Sequence, residues 1–252
     1  MSRLNGKVVL ITGGSQGIGF AMAKEVLAEG GQVVITGRNQ PALDAARDQL
    51  GGPVMTFAGD ASDRQATQEC VNLAVSRFGR IDVLVNNAAL DRPSGPTITA
   101  SLKDFEETYA LNVFAPLFWS QEVWRASMEE HGGVILNVSS LGGTHLYPHM
   151  GAYLSSKAAL NHLTRILAAE LGPGVRVNAI APGLIKTEMS KSAWSKHESR
   201  FAAALPLERL GEPVDVARSA IFLMCDDSAW VTGEILLIDG GTVIQWGRPH
   251  KK

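Results

Sequence analysis

VLITGGSQGIGFAMA, residues 9–23, sets a β-branched apolar run against a cluster of glycines and then a stretch of small and apolar residues. Glycine reaches backbone conformations closed to other residues and, lacking a Cβ, lets the main chain approach a ligand closely. A helix that begins just after such a turn presents unpaired N–H groups, which favour phosphate. The glycines fall at Gly13, Gly14, Gly17 and Gly19, which is not the GxGxxG spacing. Nor is it a Walker A loop, because no GKS or GKT follows. A glycine-rich turn can be no more than a turn. Placed after a strand at the head of an alternating chain, it reads more strongly as a dinucleotide site.

The alternation extends outward from that turn. Short apolar runs recur at 7–12, 32–36, 54–58, 81–87, 133–139, 175–181 and 234–239. Nearly continuous apolar character predicts strands buried on both faces, as in a parallel sheet. Helices are expected between them, at 17–29, about 101–129, 152–171 and 213–225. Pro41 suits an early helical position, and Ser62 and Ser101 are expected N-caps. This β-α-β-α order indicates an open, doubly wound sheet. The least regular stretch, 182–212, is a long connection of the kind that serves as a lid.

The chain has 252 residues and a net charge of −2, so it has no general attraction for nucleic acid or an anionic membrane. No apolar run approaches the length of a membrane span. Cys70 and Cys225 form no CxxC and no metal-ligand cluster, so packed free thiols in a reducing compartment, the cytoplasm, are expected. No metal site is expected.

AYLSSKAAL, residues 152–160, places Tyr153 and Lys157 one helical turn apart on one face. A phenol has a pKa near 10, too high for a base at neutral pH. A cation about 5 Å away, at an effective dielectric near 20, stabilises phenolate by roughly 3 kcal/mol, or about two pKa units. The pair can therefore supply tuned acid/base chemistry, although the spacing alone is equally that of a surface pair.

Taken in order, Thr12-Gly13-x-x-x-Gly17-x-Gly19, NNAA at 86–89, Ser140 and Tyr153-x-x-x-Lys157 resemble the short-chain dehydrogenase/reductase family over about residues 5–242. APG at 181–183 and DGG at 239–241 resemble its late motifs; Ala89 departs from the glycine usual there. The resemblance implies one α/β domain over 1–252, a Rossmann-type doubly wound, mostly parallel seven-stranded sheet with helices on both faces, and a substrate lid at 184–212. It implies an oxidoreductase similar to 3-oxoacyl reductases and related ketone reductases, and a homotetramer. Helices 101–129 and 152–171 are the candidate interfaces. Glu129 and Glu130 weigh against docking of an acidic carrier protein. The alternatives are a double-bond reductase of the enoyl- or dienoyl-CoA type, or a cofactor-binding sensor without turnover.

By the same resemblance Tyr153 is the acid/base, Lys157 tunes it and holds the nicotinamide ribose, Ser140 orients the substrate oxygen, and Asn112 supports proton return. The phosphate turn would be Gly13, Ser15, Gln16, Gly17, Ile18 and Gly19. Asp60 and Ala61 would contact the adenine, and Asn87 and Ala88 the adenosine ribose, with Asn86 tying strands together. Pro182, Gly183, Ile185 and Thr187 would also bind the cofactor. NAD-specific enzymes of this architecture carry an acid after the second strand. Here Thr36 and Gly37 stand in that place and Arg38 and Asn39 follow, so NADP(H) is expected over NAD(H), although Gln16 adds no second base. His145 and His149 flank the site, where loop histidines are ordinarily solvated. Leu184, Met189 and Trp194 could line an apolar pocket or simply hold the lid.

Overall fold

The computed structural model describes residues 2–92 and 95–244; residues 1 and 245–252, the ends of the expected domain, lie outside them. Strands β1 (Val8–Ile11), β2 (Gln32–Gly37), β3 (Val54–Ala58), β4 (Val83–Asn86), β5 (Gly133–Val138), β6 (Val175–Pro182) and β7 (Ile235–Ile238) form one sheet. Its order is β3-β2-β1-β4-β5-β6-β7, and every pairing is parallel, not merely most of them. The reversal of order between β1 and β4 opens a crevice at their carboxyl ends, where the glycine turn and the NNAA run meet.

Successive strand residues face opposite sides, which is why the runs are apolar throughout. Val9 and Ile11 pack with helices α1 (Gly17–Ala28), α2 (Gln40–Leu50) and α10 (Pro213–Met224). Val8 and Leu10 pack on the other face with α3 (Arg64–Phe78), α5 (Ala115–Val123) and α7 (Gly151–Leu171). Cys70 and Cys225 are buried free thiols. No described helix is long and apolar enough to cross a membrane.

Three local expectations are corrected. Asp63, not Ser62, caps α3: its carboxylate accepts from Gln65 N at 2.8 Å and Ala66 N at 3.4 Å. An ionised acceptor serves the positive helix start better than a hydroxyl. Ser62 instead donates N–H and O–H to Asp60. Ser101 does precede α4 (Leu102–Tyr109), but its side chain makes no capping bond. The expected helix over 101–129 is also not continuous. A π-turn at Ala110–Phe114 separates α4 from α5, and a second at Trp124–Met128 separates α5 from α6 (Glu129–His131). Each inserts a wider turn into the ladder, and the first carries Asn112.

The long connection is partly ordered. It contains α8 (Lys191–Trp194) and α9 (Glu198–Ala204), and Ile185 pairs with Gly211 across its base. Lys186 bridges Glu198 and Glu212 from that base.

Candidate active site

The glycine turn is built from close contacts. Gly13 and Gly17 have φ of +66° and +57°, a region that favours glycine. A Cβ on Gly19 would lie 2.5 Å from the Gly13 carbonyl oxygen. Thr12 Oγ1 accepts the N–H groups of Asn87 and Ala88, each at 3.0 Å, while Asn87 Nδ2 donates to the carbonyls of Thr12 and Gly13 at 2.9 and 3.0 Å. The Asn87 amide therefore ties the β4 end to the turn. Asn86 Nδ2 donates to Asn137 Oδ1 at 2.9 Å, joining β4 and β5 as expected. The first turn of α1 has no side-chain cap and no acidic residue. Free N–H groups, absent Cβ atoms and no opposing carboxylate suit a pyrophosphate. Thr187 stands over Gly17, whose added Cβ would meet its methyl at 3.5 Å.

The other expected cofactor residues have structural work of their own. Asp60 is held below the usual carboxylate range chiefly by the Ser62 N–H, with help from the Ser62 hydroxyl and Arg38. Arg38 is exposed. Asn39 Oδ1 caps α2 through Ala42 N. Ala61 accepts from the Trp119 indole at 3.0 Å. Pro182 ends β6, Gly183 hydrogen-bonds to the Ile238 carbonyl, and the Ile185 side chain is buried. Ile185 can thus offer a ligand only its main chain.

At the carboxyl end of β5, Ser139 is buried and donates to Asn161 Oδ1 at 2.5 Å. Ser140 is free of that bond. It precedes the 3-10 turn Leu141–Gly143, and its Oγ accepts from Gly142 N at 3.0 Å. Using a lone pair there leaves its hydroxyl proton to donate elsewhere. Helix α7 presents Tyr153 and Lys157 toward it. Lys157 is 2% exposed, and its Nζ donates to the Val138 carbonyl at 2.7 Å. Burial lowers its pKa to about 8, opposed by the charge of Asp91.

In these surroundings burial works against the expected lowering of the phenol. Burial lifts Tyr153 to about 12; hydrogen bonding to Ser140 works the other way, and Asp91 adds to the rise. The Lys157 Nζ lies 5.7 Å from the ring centre.

Asn112 is buried in the first π-turn. Its Oδ1 accepts from Leu90 N at 2.8 Å, and its Nδ2 donates to the Leu90 carbonyl and to Ser156 Oγ, both at 3.0 Å. The amide is thus a brace between the β4 loop and α7. His145 and His149 are exposed, and His145 Nδ1 pairs with Thr144 Oγ1 at 3.0 Å. Trp194 stands beside the glycine turn, lining with Gly17, Phe20 and Thr187 a cleft of about 510 Å³. Met189 is exposed and Leu184 half-buried. Sequence reasoning missed Asp91; the one signal was an acid two residues beyond NNAA.

The family described as Enoyl-(Acyl carrier protein) reductase matches residues 13–243. A 7alpha-hydroxysteroid dehydrogenase of Escherichia coli (strain K12) is 37% identical over 246 residues, covering 96% of each chain. A 3-oxoacyl-[acyl-carrier-protein] reductase of Thermotoga maritima is also 37% identical over 246 residues, covering 96% of this chain and all of its own. The crystal structure of a levodione reductase superposes with a TM-score of 0.92 at 30% identity, covering 97% of this chain and 100% of the other.

Proposed function

The chain belongs to the short-chain dehydrogenase/reductase family and is an oxidoreductase acting on alcohol and carbonyl groups; from that premise we propose that it moves hydride between NADP(H) and a ketone or secondary alcohol, with Tyr153 as the general acid/base. The observation that carries this reading is the convergence of Ser140, Tyr153 and Lys157 at the end of β5. The nicotinamide, when bound, supplies or accepts the hydride. The glycine turn and the open start of α1 would hold its pyrophosphate, and Lys157 its ribose.

In the reducing direction, Tyr153 gives its proton to the substrate oxygen as negative charge develops there. A phenol held near 12 is protonated at neutral pH, the form required for donation. Ser140, its lone pair engaged by Gly142, directs its hydroxyl proton to the same oxygen. The Lys157 charge offsets that of the phenolate left behind, and alcohol oxidation reverses these steps. Asn112 supports proton return as a brace for Leu90 and Ser156 beside Lys157.

Arg38 supports NADP(H). It is exposed after β2, no described side chain forms an ion pair with it, and no acid stands where a 2′-hydroxyl would be read. The named relatives reduce or oxidise steroid, acyl-carrier or levodione substrates, with a ketone or alcohol reaction as the shared element. The name of the matched family is what favours a second reading, reduction of a conjugated double bond. Residues 184–212 form the substrate lid in this proposal. A homotetramer fits the exposed Phe114 and Ile166 near the α5 and α7 surfaces, and light scattering that finds only monomer would remove that assignment. Buried free thiols fit a cytoplasmic setting.

The test is oxidation of NADPH and NADH against ketones and activated alkenes, with the reverse reaction on alcohols. Turnover of ketones is expected. Turnover of alkenes alone would establish the second reading, and cofactor binding without any turnover would leave a sensor.

A further inference from the structure

Asp91 follows the NNAAL run and is held from both sides. Leu90 is fixed through both main-chain groups by Asn112, at 2.8 and 3.0 Å. Arg92 is engaged by Glu107, with Asp104 at 3.8 Å, so it is committed away from its neighbour. Between these anchors, Asp91 Oδ1 is buried and has no hydrogen-bond donor among the described residues. The groups it acts on are those of the reaction centre: it raises both Tyr153 and Lys157, and Lys157 in turn opposes the upward push of burial on its own carboxyl.

A buried carboxylate oxygen without a donor is a net cost to folding. The internal hydrogen bonding leaves that oxygen unused. The Asn112 amide that holds Leu90 also bonds Ser156, the neighbour of Lys157 on α7, so Asp91 is tethered close to the acid/base pair. An acceptor held in that place is complementary to a donor carried by the substrate. An ammonium would bring a second positive charge beside Lys157. A hydroxyl can donate without adding charge, so it is the better match.

We propose that Asp91 is a specificity-determining residue that accepts a hydrogen bond from a second hydroxyl on the substrate, beside the reacting carbon. The preferred substrates are then vicinal diols and the corresponding α-hydroxy ketones. This rests on the hydride-transfer reading above. A site built to pair such a hydroxyl discriminates against the analogue lacking it, because that analogue buries the carboxylate unpaired.

The experiment compares matched pairs, trans-1,2-cyclohexanediol with cyclohexanol and acetoin with 2-butanone, in the wild type, Asp91→Asn and Asp91→Leu. The wild-type kcat/KM ratio within a pair should favour the hydroxylated member by about 10- to 100-fold, the loss expected for one charge-assisted hydrogen bond. The ratio should fall toward one in Asp91→Leu and lie between in Asp91→Asn, which keeps an acceptor oxygen. The ligand-free variants should melt no lower than the wild type. A wild-type ratio near one, or one kept in Asp91→Leu, overturns the proposal. So does a lower melting temperature with both members of each pair lost equally, since that marks a structural role. Wild-type turnover of cyclohexanol or 2-butanone independently supports the hydride-transfer reading, so a flat ratio then counts against Asp91 alone. No wild-type turnover of any alcohol or ketone would overturn both.

Discussion

The Lys157 ammonium lies 5.7 Å from the centre of the Tyr153 ring, yet gives its hydrogen bond to the Val138 carbonyl at 2.7 Å. The lysine is thereby anchored to β5 rather than bonded to the phenol. Tyr153 is left to hydrogen-bond with Ser140. The two members of the pair are thus held by different partners, and their contributions separate by mutation.

Tyr153→Phe removes one oxygen and keeps the ring's packing. Turnover should fall by at least about 10²–10⁴-fold through loss of general acid catalysis. Cofactor affinity should stay close to that of the wild type. Steady-state rates together with fluorescence titration of the reduced cofactor check both; near-normal turnover would refute the role.

Lys157→Met should damage cofactor binding and turnover together, and it should also change how stability depends on pH. A base whose pKa is lowered by folding, here from 10.5 to about 8, binds fewer protons folded than unfolded between those values. Stability contributed by the neutral lysine therefore rises with pH across that window. Relative to Lys157→Met, the wild type should gain about 3 kcal/mol between the two values. Urea unfolding of both proteins at pH 7.5 and pH 10 measures it, and a constant difference would show that Lys157 is not held in a desolvating site.

Gly19→Ala should disturb the turn directly. The new Cβ would stand 2.5 Å from the Gly13 oxygen and 2.6 Å from Asn87 Nδ2, the two groups that hydrogen-bond to each other there. Overpacking of this kind costs about 1–3 kcal/mol. Cofactor affinity should weaken with it, because the displaced backbone is the expected phosphate cradle. Gly174→Ala, with open space around the added Cβ, is the control and should change stability by no more than about 0.5 kcal/mol. Thermal melts and cofactor titrations of the two variants decide the point.

The features legible before the fold were those written in local spacing. Apolar runs such as Val8–Ile11 report burial on both faces, and Tyr153 with Lys157 share a helix face by arithmetic of the turn. What stayed hidden depends on contacts across the chain. Asp91 gains its setting because Asn112 reaches back 22 residues to Leu90. The phenol rises because desolvation dominates its environment. The π-turn that carries Asn112 is a shift in hydrogen-bond partner that no residue type announces. Asp63 displaced Ser62 as a cap because both are good cap residues, one position apart.

The NADP(H) proposal turns on Arg38. If its guanidinium binds the 2′-phosphate of NADP(H), Arg38→Ala should weaken that cofactor by roughly 10- to 150-fold, the worth of a charge-assisted contact, with little change for NAD(H). Arg38→Asp should go further. Its carboxylate repels the phosphate but offers an acceptor to a free ribose hydroxyl, so the two affinities should move in opposite directions. Asp60 sharpens the expectation, because Arg38 now helps to hold that carboxyl ionised. With the guanidinium gone, the uncompensated Asp60 charge further disfavours a phosphate in the same crevice. Dissociation constants for NADPH and NADH across the three proteins measure this. A wild type that prefers NADH, or a preference unchanged in Arg38→Ala, would show that Arg38 is only a solvated charge after β2.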